Sequence, residues 1–346
     1  MSFVYDKRGI MPSLSYSDTE DRLYIGLGYG WEHHQLRKLP YVFKQDFDVH
    51  YSISQQALSF TYNGIFPNTI GKWNLDLLAN YDAVRWRNFY GLGNETILTT
   101  KNKNFNRMRT REVIGSIGLN KKAGNSFFEI NGFYQSVKII NDDNRYTIKN
   151  IAPNDSSVFD VKSFEGAEAG YVFSKLNDAI VPTKGLVVSG NISYTQNVEQ
   201  SSQSFWKYGT NLQIYLPLFY KFSLAVSGGA ATVSGTPEFY QYPSIGGGND
   251  LRGFEIQRFY GKTAFYNSNE LRFISKVKSY LFSGKAGLLV FVDDGRVWMP
   301  LEKSNIWHTG YGAGIVLAPF NLILVDITYG FSNEDRLLQF RMKMKL

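Results

Sequence analysis

Apolar and polar residues alternate with period two from one end of the chain to the other, the mark of strands with two unlike faces. Leu23, Ile25, Leu27, Tyr29 and Trp31 line one side of a segment whose other side is Tyr24, Gly26, Gly28, Gly30 and Glu32. Trp73, Leu75, Leu77, Ala79 and Tyr81 stand opposite Asn74, Asp76, Leu78, Asn80 and Asp82. At the end of the chain Leu338, Phe340, Met342, Met344 and Leu346 alternate with Gln339, Arg341, Lys343 and Lys345. The pattern predicts strands over 9–17, 22–34, 45–54, 56–66, 72–90, 105–119, 125–139, 161–176, 183–198, 204–216, 220–233, 264–276, 281–298, 308–318, 321–331 and 335–346. No helix is predicted between them.

Several of these strands exceed the usual five or six residues and can cross a bilayer at a tilt. With the first strand starting at the periplasmic side, every second connection is expected to be short. The stretches 121–125, 216–219, 276–280 and 319–321 meet that expectation, and 91–104, 141–160, 234–263 and 299–307 fall on the external side. The stretch 35–43 is the exception. The fold expected is all-β, a sixteen-stranded antiparallel transmembrane β-barrel occupying residues 1–346 as one domain, with its sixth external loop folded inward. A soluble β-sandwich would need a further sheet to cover so many apolar faces. Trp31, Phe66, Trp73, Tyr81, Phe89, Tyr90, Trp206 and Trp298 lie near strand ends, as interfacial girdles require.

Composition agrees with this pattern. The chain of 346 residues is 16% aromatic, and no apolar stretch approaches the length of a membrane helix. Its slightly negative mean hydropathy suits a barrel, because half of each strand faces a polar interior. The absence of cysteine removes disulfide, thiolate-metal and cysteine-nucleophile chemistry. A net charge of +7 is modest and compatible with anionic lipid headgroups or an acidic partner. The first residues lack the apolar core of a signal peptide, so an exported protein would carry this segment in trimmed form.

The long stretch 234–263 holds Gly246-Gly247-Gly248-Asn249-Asp250-Leu251-Arg252-Gly253-Phe254. Its glycines suit a loop tip folded back on itself. Arg252, flanked by apolar residues, needs a carboxylate if it is buried. Glu270 and the pair Asp293-Asp294 are the candidates.

These residues resemble the BamA/TamA outer-membrane assembly superfamily, which includes two-partner secretion transporters. Residues 248–254 are similar to its Arg-Gly-aromatic loop motif. Asn269-Glu270-Leu271-Arg272-Phe273 resembles the strand that follows, and Phe291-Val292-Asp293-Asp294-Gly295-Arg296-Val297-Trp298 its Phe-x-Asp-x-Gly-x-Val-Trp strand. Phe89-Tyr90-Gly91-Leu92-Gly93-Asn94 resembles an early-strand signature of members from Bacteroidetes-like bacteria. The resemblance implies an integral protein of the bacterial outer membrane that inserts or translocates polypeptides, without cofactor or metal. It implies that Arg252, with Gly253 and Phe254, locks the loop in the lumen on Asp293, with Glu270 a second acidic partner and Asp294 the fallback. It also implies a weak seam between first and last strands, 9–17 and 335–346. Pro12 and Gly9 lie on one side of that seam, and Lys343 and Lys345, expected to face the lumen, on the other.

Family members carry periplasmic POTRA domains before the barrel, and some carry a patatin-like lipase or a metallophosphatase. The expected partners are therefore outer-membrane lipid and a polypeptide client or fused periplasmic domain, with no nucleic acid. A membrane anchor or exporter for a fused hydrolase and a diffusion porin are the other readings. Enzymatic chemistry finds no support in the sequence. Gly261-Lys262-Thr263 lacks the opening glycine of a phosphate loop, no metal spacing joins His33, His34, His50 and His308, and a Gly-x-Ser-x-Gly elbow is absent. Leu346 departs from the terminal aromatic common in outer-membrane proteins.

Overall fold

The computed structural model describes residues 5–17, 22–36, 38–53, 55–100, 102–153, 155–278 and 283–344. Its strands begin with β1 (Lys7–Ser17), β2 (Arg22–Gln35), β3 (Lys38–Ser52), β4 (Ala57–Ile70), β5 (Trp73–Asn88), β6 (Arg107–Ala123), β7 (Ser126–Ile139) and β8 (Val161–Leu176). They continue with β9 (Gly185–Asn197), β10 (Ser204–Pro217), β11 (Phe222–Gly235) and the two-residue β12 (Ser244–Ile245) and β13 (Phe259–Tyr260). The last are β14 (Thr263–Lys278), β15 (Ser283–Trp298), β16 (His308–Pro319), β17 (Ile323–Phe331) and β18 (Arg336–Met344). All except β12 and β13 join one sixteen-stranded antiparallel sheet in chain order, with β1 and β18 as its end strands. Single helical turns, α1 (Lys103–Asn106) and α2 (Tyr146–Asn150), lie in the connections.

Contacts divide the chain into two compact units. One comprises Met1–Arg87, Lys103–Tyr171 and Ile192–Trp206; the other comprises Asn88–Asn102, Val172–Asn191 and Lys207–Leu346. In each, the usual distribution of residues is inverted. Leu27, Ile117 and Ile130 of the first unit and Leu288, Val290 and Val292 of the second are among many exposed apolar side chains. Buried instead are Glu112 in the first and Arg252, Arg258, Glu270 and Asp293 in the second. An exposed apolar face of this extent demands a nonpolar solvent. Glu112 is made tolerable by its neighbours: Arg87 donates to it from Nε and Nη2 at 3.0 and 2.9 Å, and the Thr110 hydroxyl at 2.8 Å.

The exceptional stretch 35–43 is a misread strand. β3 starts at Lys38, leaving only 36–37 between it and β2. The register shifts between His33 and Gln35, so Pro40 falls in a bulge, where a missing N–H is tolerated and where the alternation is broken. With this correction the β2–β3 connection joins the short ones at 71–72 and 124–125.

Candidate functional site

The connection between β11 and β14 folds back on itself because β12 pairs β13, Ser244 opposite Tyr260 and Ile245 opposite Phe259. Within it, one carboxylate oxygen of Asp250 accepts the N–H groups of Gly246 at 3.0 Å and Leu251 at 2.8 Å. Burial pushes the Asp250 carboxyl up to about 7, and Asp293 nearby adds to the rise.

That turn presents Arg252, which is 2% exposed, to the polar face of β14 and β15. Its Nε and Nη2 donate to the two oxygens of Asp293, both at 2.7 Å, in the bidentate geometry a guanidinium favours. Its Nη1 donates to Glu270 at 2.6 Å, and Nη2 also donates to the Ser268 hydroxyl at 2.9 Å. The Arg252 backbone N–H adds a third bond to Asp293 at 3.0 Å. The guanidinium carbon lies 3.6 Å from the centre of the Phe291 ring. Register explains the convergence: Ser268 is the cross-strand partner of Asp293, and Glu270 that of Phe291, so all four share one face.

The ionic chain continues past Arg252. Arg272 Nε donates to the second oxygen of Glu270 at 2.6 Å, Arg341 lies 3.5 Å from Glu270, and Arg341 Nε donates to Asp326 at 2.9 Å. Three arginines therefore face three carboxylates, which is how charge survives burial. Asp294 stands apart from this chain. The β14–β15 register has no bulge, so Asp294 falls on the opposite face and accepts the Thr309 hydroxyl at 2.6 Å.

Gly253 takes φ +86°, and a Cβ there would lie 2.7 Å from the Phe331 carbonyl oxygen. A Cβ on Gly310 of β16 would overlap the Arg252 carbonyl oxygen. The loop backbone thus lies directly on the strands, where only glycine fits on either side. Gln339 of β18 accepts the Gly253 N–H at 3.2 Å and donates to the Phe254 carbonyl at 3.1 Å. Phe254 is fully buried with Leu251, Ile245, Phe259 and Val297, and it meets the His308 ring edge-on.

Sequence reasoning missed a second buried arginine six residues on. Arg258 donates from Nε and Nη2 to the two oxygens of Glu334, both at 2.7 Å, and from Nη1 to the Thr96 hydroxyl at 2.7 Å. Its signal was the repeated order of arginine before aromatics, Arg252-Gly253-Phe254 and then Arg258-Phe259-Tyr260. The Phe89–Asn94 motif also acts here, after β5 rather than within it. Gly93 N–H donates to the Tyr260 carbonyl at 2.8 Å. The fully buried Asn94 donates to Ser304 and to the Ile306 carbonyl, and accepts the Val297 N–H.

A third element is the β8–β9 connection, which falls between the strands predicted over 161–176 and 183–198. Ile180 and Val181 are buried among Leu289, Phe291, Val316, Ala318 and Leu324, on the same face of β15 as Asp293. Asp178 accepts the N–H groups of both residues at 2.8 Å and pairs with Lys285. Burial pushes the Asp178 carboxyl up, but Lys285 and the two N–H groups outweigh it and hold it below its ordinary value.

Of the seam residues, Gly9 and Pro12 lie in β1, opposite Gly30 and Leu27 of β2, and β1 pairs β2 along all eleven of its residues. Lys343 is exposed and shares the strand parity of Arg341, whereas Lys345 lies outside the described residues.

Sixteen antiparallel strands with an exposed apolar face and a covered ionic face make an integral outer-membrane β-barrel. The chain belongs to the Omp85 superfamily, whose domain profile matches residues 38–344. Among solved structures it is similar to BamA from Haemophilus ducreyi lacking POTRA domains 1–3, with 17% identity and a TM-score of 0.71, over 97% of this chain and 69% of that one. It is also similar to CdiB from Acinetobacter baumannii, with 12% identity and a TM-score of 0.57, over 98% of this chain and 65% of that one. For CdiB from Escherichia coli the identity is 14% and the TM-score 0.55, over 97% of this chain and 61% of that one. The chain thus spans less than two thirds of either CdiB. No curated protein matches the sequence.

Proposed function

We propose that this barrel inserts or translocates polypeptides at the outer membrane, with its lumen closed by the 236–262 loop and by the β8–β9 turn. The observation that carries the reading is Arg252 on Asp293 and Glu270. An ionic dock on the polar face of β14 and β15 would hold the loop across the lumen of the proposed barrel, which favours a plugged barrel over an open diffusion channel. Family membership supports the polypeptide part of the reading, and the apolar wedge of Ile180 and Val181 supports closure from a second side. Clients pass at the end strands β1 and β18, where Pro12 has no N–H to give to a ladder. The catalytic groups of an enzyme are not proposed for these residues.

Two measurements on the reconstituted protein test this. In planar bilayers the wild type is expected to give a small, erratic conductance, and Ile180→Asp, which places a charge in the apolar socket, a larger one. In liposomes it is expected to speed the folding of a urea-denatured outer-membrane barrel relative to protein-free vesicles. A large, steady pore together with an unchanged folding rate refutes the proposal in favour of a porin.

A further inference from the structure

Arginine recurs at every second position where β6 begins, at 107, 109 and 111. Alternation puts these three on the side of the exposed Val113 and Ile117, away from the buried Met108, Thr110 and Glu112. On β7 the cross-strand partner of Arg111 is Lys138, which shares its side with the exposed Tyr134 and Ile130. Two exposed cations thus face each other directly on the membrane side of the sheet, an arrangement that repulsion disfavours.

The neighbouring charges do not relieve it. Arg107 lies 4.2 Å over the Trp86 ring. Arg109 donates to both oxygens of Asp142 at 3.1 Å, and Arg145 lies 3.6 Å from the same carboxylate. Among the described residues, the side chains of Arg111 and Lys138 make no hydrogen bond or ion pair.

Depth says what surrounds them. The next cation down the same side of β6 is Lys121, 5.6 Å from the centre of the Trp73 ring. Ten residues separate it from Arg111; at about 3.4 Å each and a tilt of about 40° they rise roughly 25 Å, the height of an outer-membrane apolar band. Arg111 and Lys138 therefore sit at headgroup level. Their strand ends lead into the long connections, on the external side.

We propose that Arg111 and Lys138 form a binding site for the phosphate of an outer-leaflet lipid, whose acyl chains lie along Val113, Ile117, Tyr134 and Ile130. The guanidinium offers a fork to two phosphate oxygens and the ammonium a point charge beside it. A dianionic headgroup also cancels the repulsion between them.

The test uses the whole protein in lipid-depleted detergent micelles, with native mass spectrometry as the readout. The probes are diphosphorylated lipid A, the same glycolipid without phosphate, and inorganic phosphate. The wild type is expected to retain the phosphorylated lipid only. Arg111→Gln with Lys138→Gln is expected to weaken retention by about tenfold or more, with an unchanged melting temperature, and Lys121→Gln to leave retention unaltered. Equal retention by the double variant, or of the dephosphorylated lipid, means that the two cations are merely solvated and overturns the proposal. Comparable capture of inorganic phosphate overturns it as a lipid site.

Discussion

Arg252→Ala concentrates its effect on one group. Among the described residues every hydrogen bond accepted by Asp293 comes from Arg252, two from the guanidinium and one from the backbone. Glu270 keeps Arg272 and Arg341. The truncation therefore leaves a single, fully buried carboxylate with one backbone hydrogen bond and no countercharge, a change that costs about 3–5 kcal/mol. Releasing the loop lets water reach Asp293, so the penalty falls on loop docking rather than on the sixteen-stranded sheet. At 1.4 kcal/mol per decade, the released population rises by about two to three and a half orders of magnitude. Native-state hydrogen exchange of the amides from Gly246 to Tyr260 reads this directly, as a matching loss of protection. Arg252→Lys keeps the charge but not the fork and should fall between the two. Combining Arg252→Ala with Asp293→Asn should cost less than the sum of the single changes, because the stranded charge is gone. Protection in Arg252→Ala within about threefold of the wild type would show that the ion pair does not hold the loop.

Gly310→Ala should release the same amides with Arg252 intact, since its methyl group displaces the Arg252 carbonyl; unchanged exchange would mean that the backbone approach is not tight. Loop docking should also depend on pH through Asp250. Its carboxyl holds a proton up to about 7 in the folded loop, against about 3.9 when unfolded, so the docked state binds more protons between those values. Docking is then strongest below about pH 4 and weakens as pH rises through about 7. Proteolysis of the loop at pH 6 and pH 8 checks this: the wild type should be cut faster at pH 8, and Asp250→Asn equally at both.

The strands were legible because a barrel puts its apolar face outward at every second residue, and that rule does not depend on tertiary detail. It failed at β3, where the bulge that holds Pro40 interrupts the period. Around Arg252 the residue types pointed to carboxylates, and strand parity separates Asp293 from Asp294. That one guanidinium engages Asp293, Glu270 and Ser268 together depends on the β14–β15 register, which no local pattern specifies. Arg258 was hidden for a related reason. Glu334 lies 76 residues away in a short turn, and Thr96 lies 162 residues away in another connection. Asn94 looked like part of a strand signature because its partners Val297, Glu302, Ser304, Ile306 and His308 lie far along the chain. The β8–β9 wedge did leave a trace, the apolar run Ala179-Ile180-Val181-Pro182 in a turn that had no other reason to be apolar.

The loop at Arg252 and the turn at Ile180 are held by different physics, and the difference bears on what each can do. Ile180 and Val181 fill an apolar socket, where every methylene buried adds to adhesion and no particular register is demanded. Arg252 sits in an ionic one. A buried ion pair gains little net stability over an apolar contact of the same size, because desolvation offsets most of the attraction. What it does supply is position: a bidentate fork on Asp293, a third bond to Glu270 and glycine-only approaches at Gly253 and Gly310 permit one placement of the loop. If the loop leaves, Asp293, Glu270 and Ser268 face water, and Leu251 and Phe254 beside Arg252 lose their packing against Val297. On the proposed reading the ionic dock sets the loop's position, and the turn at Ile180 supplies adhesion.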